Sequence, residues 1–237
     1  MYELLGKHLR QQDDGSLSLG GRISLSIPAF FLIFSAYNLA GKPVRPPSHP
    51  EPTWLDHMVP FVPQSFWIYM PGYIASFLLT LWLLRSGRAF RSALAALVLI
   101  NALALPFFLF FPVASPRPIL HGELEGSLVL LKHLYSIDTP YNTFPSLHVA
   151  SSSLCAWFCW SQDRRIGLYS GLLSLGIAAS TLMTRQHWAV DVLGGWVLAG
   201  VGVVTYQRAL RLDRGWLGSL PARIRLPVTL RIDRDRR

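Results

Sequence analysis

Six apolar runs mark this chain, and nothing else in it restricts the fold as severely. Ile23–Ala40, Ser65–Leu84, Ala93–Phe111 and Ile166–Met183 each approach the ~20 mostly apolar residues that a membrane-crossing helix needs. Two more run from near His148 to near Trp160 and from near Trp188 to near Tyr206. In hydrocarbon every backbone N–H and C=O must be satisfied inside the protein, so runs of this length read as helices. The expected fold is all-α: an integral membrane bundle of six transmembrane helices. The run that starts near His148 is short unless it begins inside the Phe-Pro-Ser-Leu-His segment before it.

Composition agrees. Charged residues make up 15% of the 237, against about 25% in a soluble domain. Mean hydropathy is +0.34. The reading is one transmembrane domain over residues 1–237, with a core of about 23–206 and a basic tail at 207–237. The N-terminal stretch Met1–Arg22 is polar, and no cleavable signal is read there. Pro28, Pro71 and Pro106 fall inside runs, where neighbouring helices can compensate for a missing hydrogen bond. Small residues gather in the last three runs, at Ala150–Ser153, Gly171–Ser180 and Gly194, Gly195, Gly200 and Gly202. Such faces let helices approach closely, and internal packing is the expected use. Cys155 and Cys159 lie one turn apart on one face and read as small buried hydrophobes.

The net charge of +9 is unevenly placed, which argues against a nucleic-acid partner. Lysine and arginine concentrate before the first run, in the second and fourth connections and after Tyr206. Lys42, Arg45, Arg117, Lys132 and Arg185 are the five left for the opposite side. The positive-inside rule then predicts cytoplasmic termini. It also puts Phe144–His148 and Arg185–His187 together on the non-cytoplasmic side.

Those segments hold the chemistry. His187 and Asp191 are four apart, on one face of a helix. A carboxylate at the membrane edge is costly and usually partnered. Beside an imidazole it fixes the tautomer and raises basicity. His187 could thus attack phosphorus, and His148 could give a proton to the leaving oxygen. Arg117 and Arg185 offer planar cationic forks for phosphate, and the helix start at Ser146 adds amide donors. Asp138 and Asn142 lead into the Phe-Pro-Ser-Leu-His segment and could bind an acceptor hydroxyl. His148, His187 and Asp191 could also hold a metal, but no further acid pair or cysteine accompanies them; no metal and no cofactor are assigned. Other polar residues of the long third connection, His121, Glu123, Glu125, Lys132 and His133, read as solvated. Trp67, Tyr69 and Tyr73 read as interface anchors, and the arginine-rich tail as a topology signal.

The chain resembles the type 2 phosphatidic acid phosphatase superfamily, whose motifs are Lys-x6-Arg-Pro, Pro-Ser-Gly-His and Ser-Arg-x5-His-x3-Asp. Here the second reads Pro145-Ser146-Leu147-His148, and the third reads Ser180-Thr181, five residues, then His187 and Asp191. The first keeps Arg117-Pro118, with Phe110 at the lysine position. Thr181 replaces the arginine of the third motif, and Leu147 the glycine of the second. These departures, with Asn142-x-Phe-Pro-Ser-Leu-His, look like the branch that includes inositol phosphorylceramide synthases, with sphingomyelin synthases more distant. The resemblance implies a His187 nucleophile, an Asp191 orienter, a His148 acid and base, and Arg117 on phosphate. Arg185 has no place in the family pattern and is expected to supply the charge lost at Thr181.

The expected function is lipid phosphotransfer or phosphate hydrolysis through a phosphohistidine. The donor is a phospholipid or lipid phosphate, and the acceptor a lipid alcohol or water. A lipid phosphate monoester phosphatase is the first alternative, and a non-catalytic membrane binding or transport protein the second.

Overall fold

The computed structural model describes residues 15–42, 44–121 and 125–219, with side chains through Arg211. Lys7, Arg10, Glu123 and the basic tail beyond Ser219 lie outside the described residues. Eight α-helices follow one another among those described: α1 Leu19–Ala40, α2 Trp54–Met58, α3 Phe66–Leu83, α4 Gly87–Phe110, α5 Ser127–Ile137, α6 Leu147–Gln162, α7 Arg164–Met183 and α8 Ala189–Ser219. A 3-10 turn, Pro63–Ser65, leads into α3. No strand is present among the described residues.

Five helices are long and apolar enough to cross a membrane: α1, Pro63–Leu83, α4, α7 and Ala189–Arg211. The chain is a multi-pass membrane protein. The expected sixth span is α6, and at 16 residues it is shorter than the others. At 1.5 Å per residue it extends about 24 Å, against a hydrocarbon core of ~30 Å. It cannot start earlier because Pro145 precedes it and Ser146 caps it, the Ser146 hydroxyl accepting the Val149 N–H at 3.4 Å.

Local sequence explains the other ends. Ser18 and Ser86 cap α1 and α4 through their hydroxyls. Asp163 caps α7, accepting from the amides of Arg165 and Ile166. Thr53 and Asp56 form a reciprocal capping box on α2. Arg22 is buried and donates to the carbonyls of Leu81 and Trp82, satisfying the end of α3.

α6 is the centre of the bundle, packing on α7, α8, α3 and α4. Its buried residues include Val149, Leu154, Phe158 and both cysteines, which are free thiols as expected. α1 lies at the periphery and leaves Phe30, Phe31, Leu32 and Phe34 exposed, a face suited to lipid. Ser152 and Ser153 share hydrogen bonds with Ser174 between α6 and α7.

The small residues divide into two kinds. A Cβ on Gly195 would lie 2.6 Å from the Ser146 carbonyl oxygen, and one on Gly194 2.6 Å from the Phe144 ring. Gly202 faces Leu154 as closely, whereas Gly171 and Gly200 have nothing within 4 Å. Close packing therefore uses Gly194, Gly195 and Gly202.

The third connection differs from its expectation as loop, because it contains α5. Leu131 and Leu134 are buried there against Tyr69 and Ile177. Their spacing, with Tyr135, is that of a helix face.

Substituting Gly195→Ala should destabilise the bundle by roughly 1–3 kcal/mol, since backbone must move. Gly200→Ala should be neutral or stabilising, because the helix gains up to about 1 kcal/mol of propensity in open space. Thermal unfolding midpoints of the two purified variants in one detergent check the contrast.

Candidate active site

One end each of α1, α3, α6, α7 and α8 reaches a common polar layer. α1 brings Tyr37, α3 brings Tyr69, α6 begins at Leu147 and His148, α7 ends near Thr181, and α8 begins near Asp191. At the opposite end of α1, Leu17 donates to the Arg85 carbonyl beside the α3–α4 connection.

His187 stands in the five residues between α7 and α8. Its amide and that of Gln186 both donate to the Thr181 carbonyl, at 3.3 and 2.9 Å, as the chain leaves α7. The His187 side chain is buried. Its Nε2 is 3.5 Å from His148 Nδ1, and its Nδ1 is 3.4 Å from Asp191 Oδ2. That second contact has ion-pair length, and catalytic contacts of this kind often tighten only with substrate bound. Asp191 Oδ2 also accepts the Trp188 amide at 2.8 Å. The Ser146 amide donates to the Asp191 carbonyl at 3.0 Å, so one backbone bond ties the two histidine segments together. His148 and His187 therefore meet as the sequence predicted.

Tyr69 and Tyr73 are not interface anchors. The Tyr69 hydroxyl lies 3.1 and 3.0 Å from the two ring nitrogens of His148, and Tyr69 is fully buried. The Tyr73 ring centroid is 4.7 Å from that of His148. Trp67 is exposed, in keeping with its expected place.

The other expected site residues are engaged with protein. Arg117 Nε and Nη2 donate to Gln186 Oε1 at 3.1 and 2.6 Å. Its Nη1 donates to the carbonyls of Tyr135 and Asp138, and its Nη2 also to Asp138 Oδ2 and the Thr139 carbonyl. All five of its N–H bonds thus have acceptors. Asp138 pairs with Arg117 at 3.0 Å and accepts from the Tyr37 hydroxyl at 2.7 Å. Asn142 is buried and donates to the Tyr37 carbonyl. Ser146 is buried and serves as helix cap. Arg185 has φ 53, in the left-handed region. Its guanidinium donates to the carbonyls of Asp56 and Val59 at 3.1 and 2.9 Å. Its visible task is to hold the end of α2.

Asp56, Gln186 and Tyr69 border the candidate site and were missed by sequence reasoning. Asp56 Oδ1 accepts the amide of Ala189, the first residue of α8, at 2.8 Å, while Oδ2 takes the Thr53 amide and hydroxyl. Burial alone would raise this carboxyl. The Thr53 hydroxyl, the amides of Ala189 and Thr53, and the Arg185 charge outweigh it and hold Asp56 below the usual carboxylate value. The signal was available: Thr53-x-x-Asp56 is a capping-box sequence.

Phe107, Phe110, Phe111 and Phe144 line an open cleft of about 490 Å³ beside Arg45 and Ser48. Phe110, at the lysine position of the first motif, thus belongs to an apolar wall. Among the described residues no three His, Cys, Asp or Glu side chains are grouped as ligands for a metal.

Comparison with known proteins agrees with the geometry. The family model described as PAP2 superfamily matches residues 50–205, and the chain belongs to that superfamily. No curated protein and no solved structure matches it.

Asp56→Ala should cost roughly 1–2 kcal/mol through the lost helix caps. Because folding depresses this carboxyl, its contribution is complete above the unfolded value near pH ~4 and is lost as pH falls through the lower folded value. The wild type should therefore lose its advantage over Asp56→Ala below about pH 4. Unfolding midpoints of both proteins across that range measure it.

Proposed function

We propose that this PAP2-superfamily protein is a lipid phosphotransferase or phosphatase that works through a phosphohistidine on His187. Superfamily membership supports lipid phosphatase or phosphotransferase activity and an enzyme embedded in the membrane. One observation carries the finer reading: His187 lies between His148, at 3.5 Å, and Asp191, at 3.4 Å. Asp191 would keep the proton on Nδ1 and leave the Nε2 lone pair free. That lone pair attacks phosphorus as the bond to the leaving alcohol breaks, and His148 gives the departing oxygen its proton. His148 then takes a proton from the acceptor hydroxyl, which attacks phosphorus and releases His187. Tyr69 would hold the His148 ring throughout.

Water as acceptor makes a phosphatase, and a lipid alcohol makes a transferase. Phe110 and Thr181 stand where the family pattern has cations, and Arg117 is paired with Asp138. A singly charged phosphodiester needs fewer cations than a monoester, so transfer of a phospho-headgroup is favoured, as in the branch resembling inositol phosphorylceramide synthases. The aromatic cleft beside Phe144 suits a lipid tail. Asp138 and Asn142 would be the acceptor-binding residues of this scheme. In this reading the chain is one domain over residues 1–237, and α6 is the sixth crossing, its short length tolerated because neighbouring helices surround it. The basic segments put both termini in the cytoplasm and the histidines at the opposite face.

Purified protein in mixed micelles with a headgroup-labelled phospholipid should release or transfer label, and His187→Ala should lower that rate roughly 10³-fold or more. Equal rates would sink the enzyme reading. Added lipid alcohol should capture the label if the protein is a transferase; release to water alone would make it a phosphatase.

A further inference from the structure

Gln186 has two ends with different fates. It is 2% exposed and adjacent to His187. Arginine has no acceptor, so the carboxamide atom facing Arg117 must be the oxygen. Oε1 takes two N–H bonds from Arg117, and the other end, Nε2, is buried with no partner. Among the described residues only two buried side-chain nitrogens lack a hydrogen bond, Gln186 Nε2 and His187 Nδ1, and the second is at ion-pair distance from Asp191. A buried donor left unpaired is costly, so an arrangement that keeps one is suited to a ligand that completes it.

The neighbouring groups narrow what that ligand is. Arg117 has no N–H to spare, and Asp138 balances its charge. Thr181 is fully buried and turns its hydroxyl to the Ala178 carbonyl. Arg185 is bound to α2 carbonyls. The arginines that the sequence offers for phosphate are thus already engaged, whereas an amide N–H pair on the residue next to His187 is not.

Resting on the phosphohistidine reading above, we infer that Gln186 contacts the reacting phosphoryl group, its Nε2 donating to a non-bridging oxygen while its Oε1 holds Arg117 in place. Gln186 is a neutral donor, in a site where the cationic positions of the family pattern are filled by Phe110 and Thr181. As phosphorus becomes five-coordinate, charge grows on those oxygens, and a fixed donor there acts mainly on kcat.

Gln186→Glu separates the two ends. It keeps an oxygen for Arg117 but puts an anionic acceptor where the donor was. The variant should keep its unfolding midpoint close to that of the wild type while label transfer falls about 100-fold or more, chiefly in kcat. Wild-type transfer in folded Gln186→Glu overturns the inference, leaving Gln186 as a holder of Arg117 alone. If that variant does not fold, Gln186→Met, of similar length and without either polar end, takes its place. Undiminished transfer in folded Gln186→Met, or failure of both variants to fold, likewise overturns it. His187→Ala in the same assay separates the outcomes: if it transfers label like the wild type, the phosphohistidine reading has failed. Loss in His187→Ala with none in Gln186→Glu removes only this inference.

Discussion

The site depends on how five residues between α7 and α8 are held. A connection that short has little structure of its own, yet it must aim His187 at His148 and Asp191. The aim comes from partners on both sides. The Val62 amide donates to the Met183 carbonyl just before it. Tyr135 reaches the Thr184 carbonyl, Arg117 binds Gln186, and the Trp188 indole donates to the Ala114 carbonyl. Asp56 takes the first amide of α8, and Arg185 reaches back to α2. The segments between α1 and α3 and between α4 and α6 thus both hold the connection between α7 and α8. Their length follows from that work: each must run over the end of the bundle to reach it. The two carboxylates at the start of α8, Asp56 and Asp191, also meet the positive end of that helix, where negative charge is favoured.

Much of this layer was legible in sequence, because its strongest signals are local. Apolar length alone places α1, α3, α4, α7 and α8, and four-residue spacing places Asp191 under His187. The meeting of His148 with His187 follows from the parity of the helices between them. α6 fell short of a full span because capping by Ser146 starts it late, a boundary that apolar content cannot fix. Tyr69 was misread for a similar reason. Aromatic residues near a span end look alike whether they face lipid or the bundle, and only the rotation of α3 against α6 decides. α5 was hidden by the polar residues around it, although Leu131, Leu134 and Tyr135 carry its period. The fates of Arg117 and Arg185 were beyond reach. A cation at the right position in a motif gives no hint that its N–H bonds are already spent on carbonyls and on Gln186.

That spending bears on substrate choice under the proposed function. Arg117 is tied to Asp138, and Arg185 lies among the carbonyls that end α2. Thr181 and Phe110 add no charge; one is buried in the end of α7 and the other lines an apolar cleft. A doubly charged phosphate entering here would have to draw Arg117 away from Asp138, a partly buried pair at 3.0 Å, to find a cation. A singly charged phosphodiester asks for less. It can be met by neutral donors and by the field of an arginine that keeps its own partners. Under the proposed function, the replacement of two cations and the engagement of Arg117 act in one direction: they lower the charge of the cradle, which would match a substrate that carries less of it.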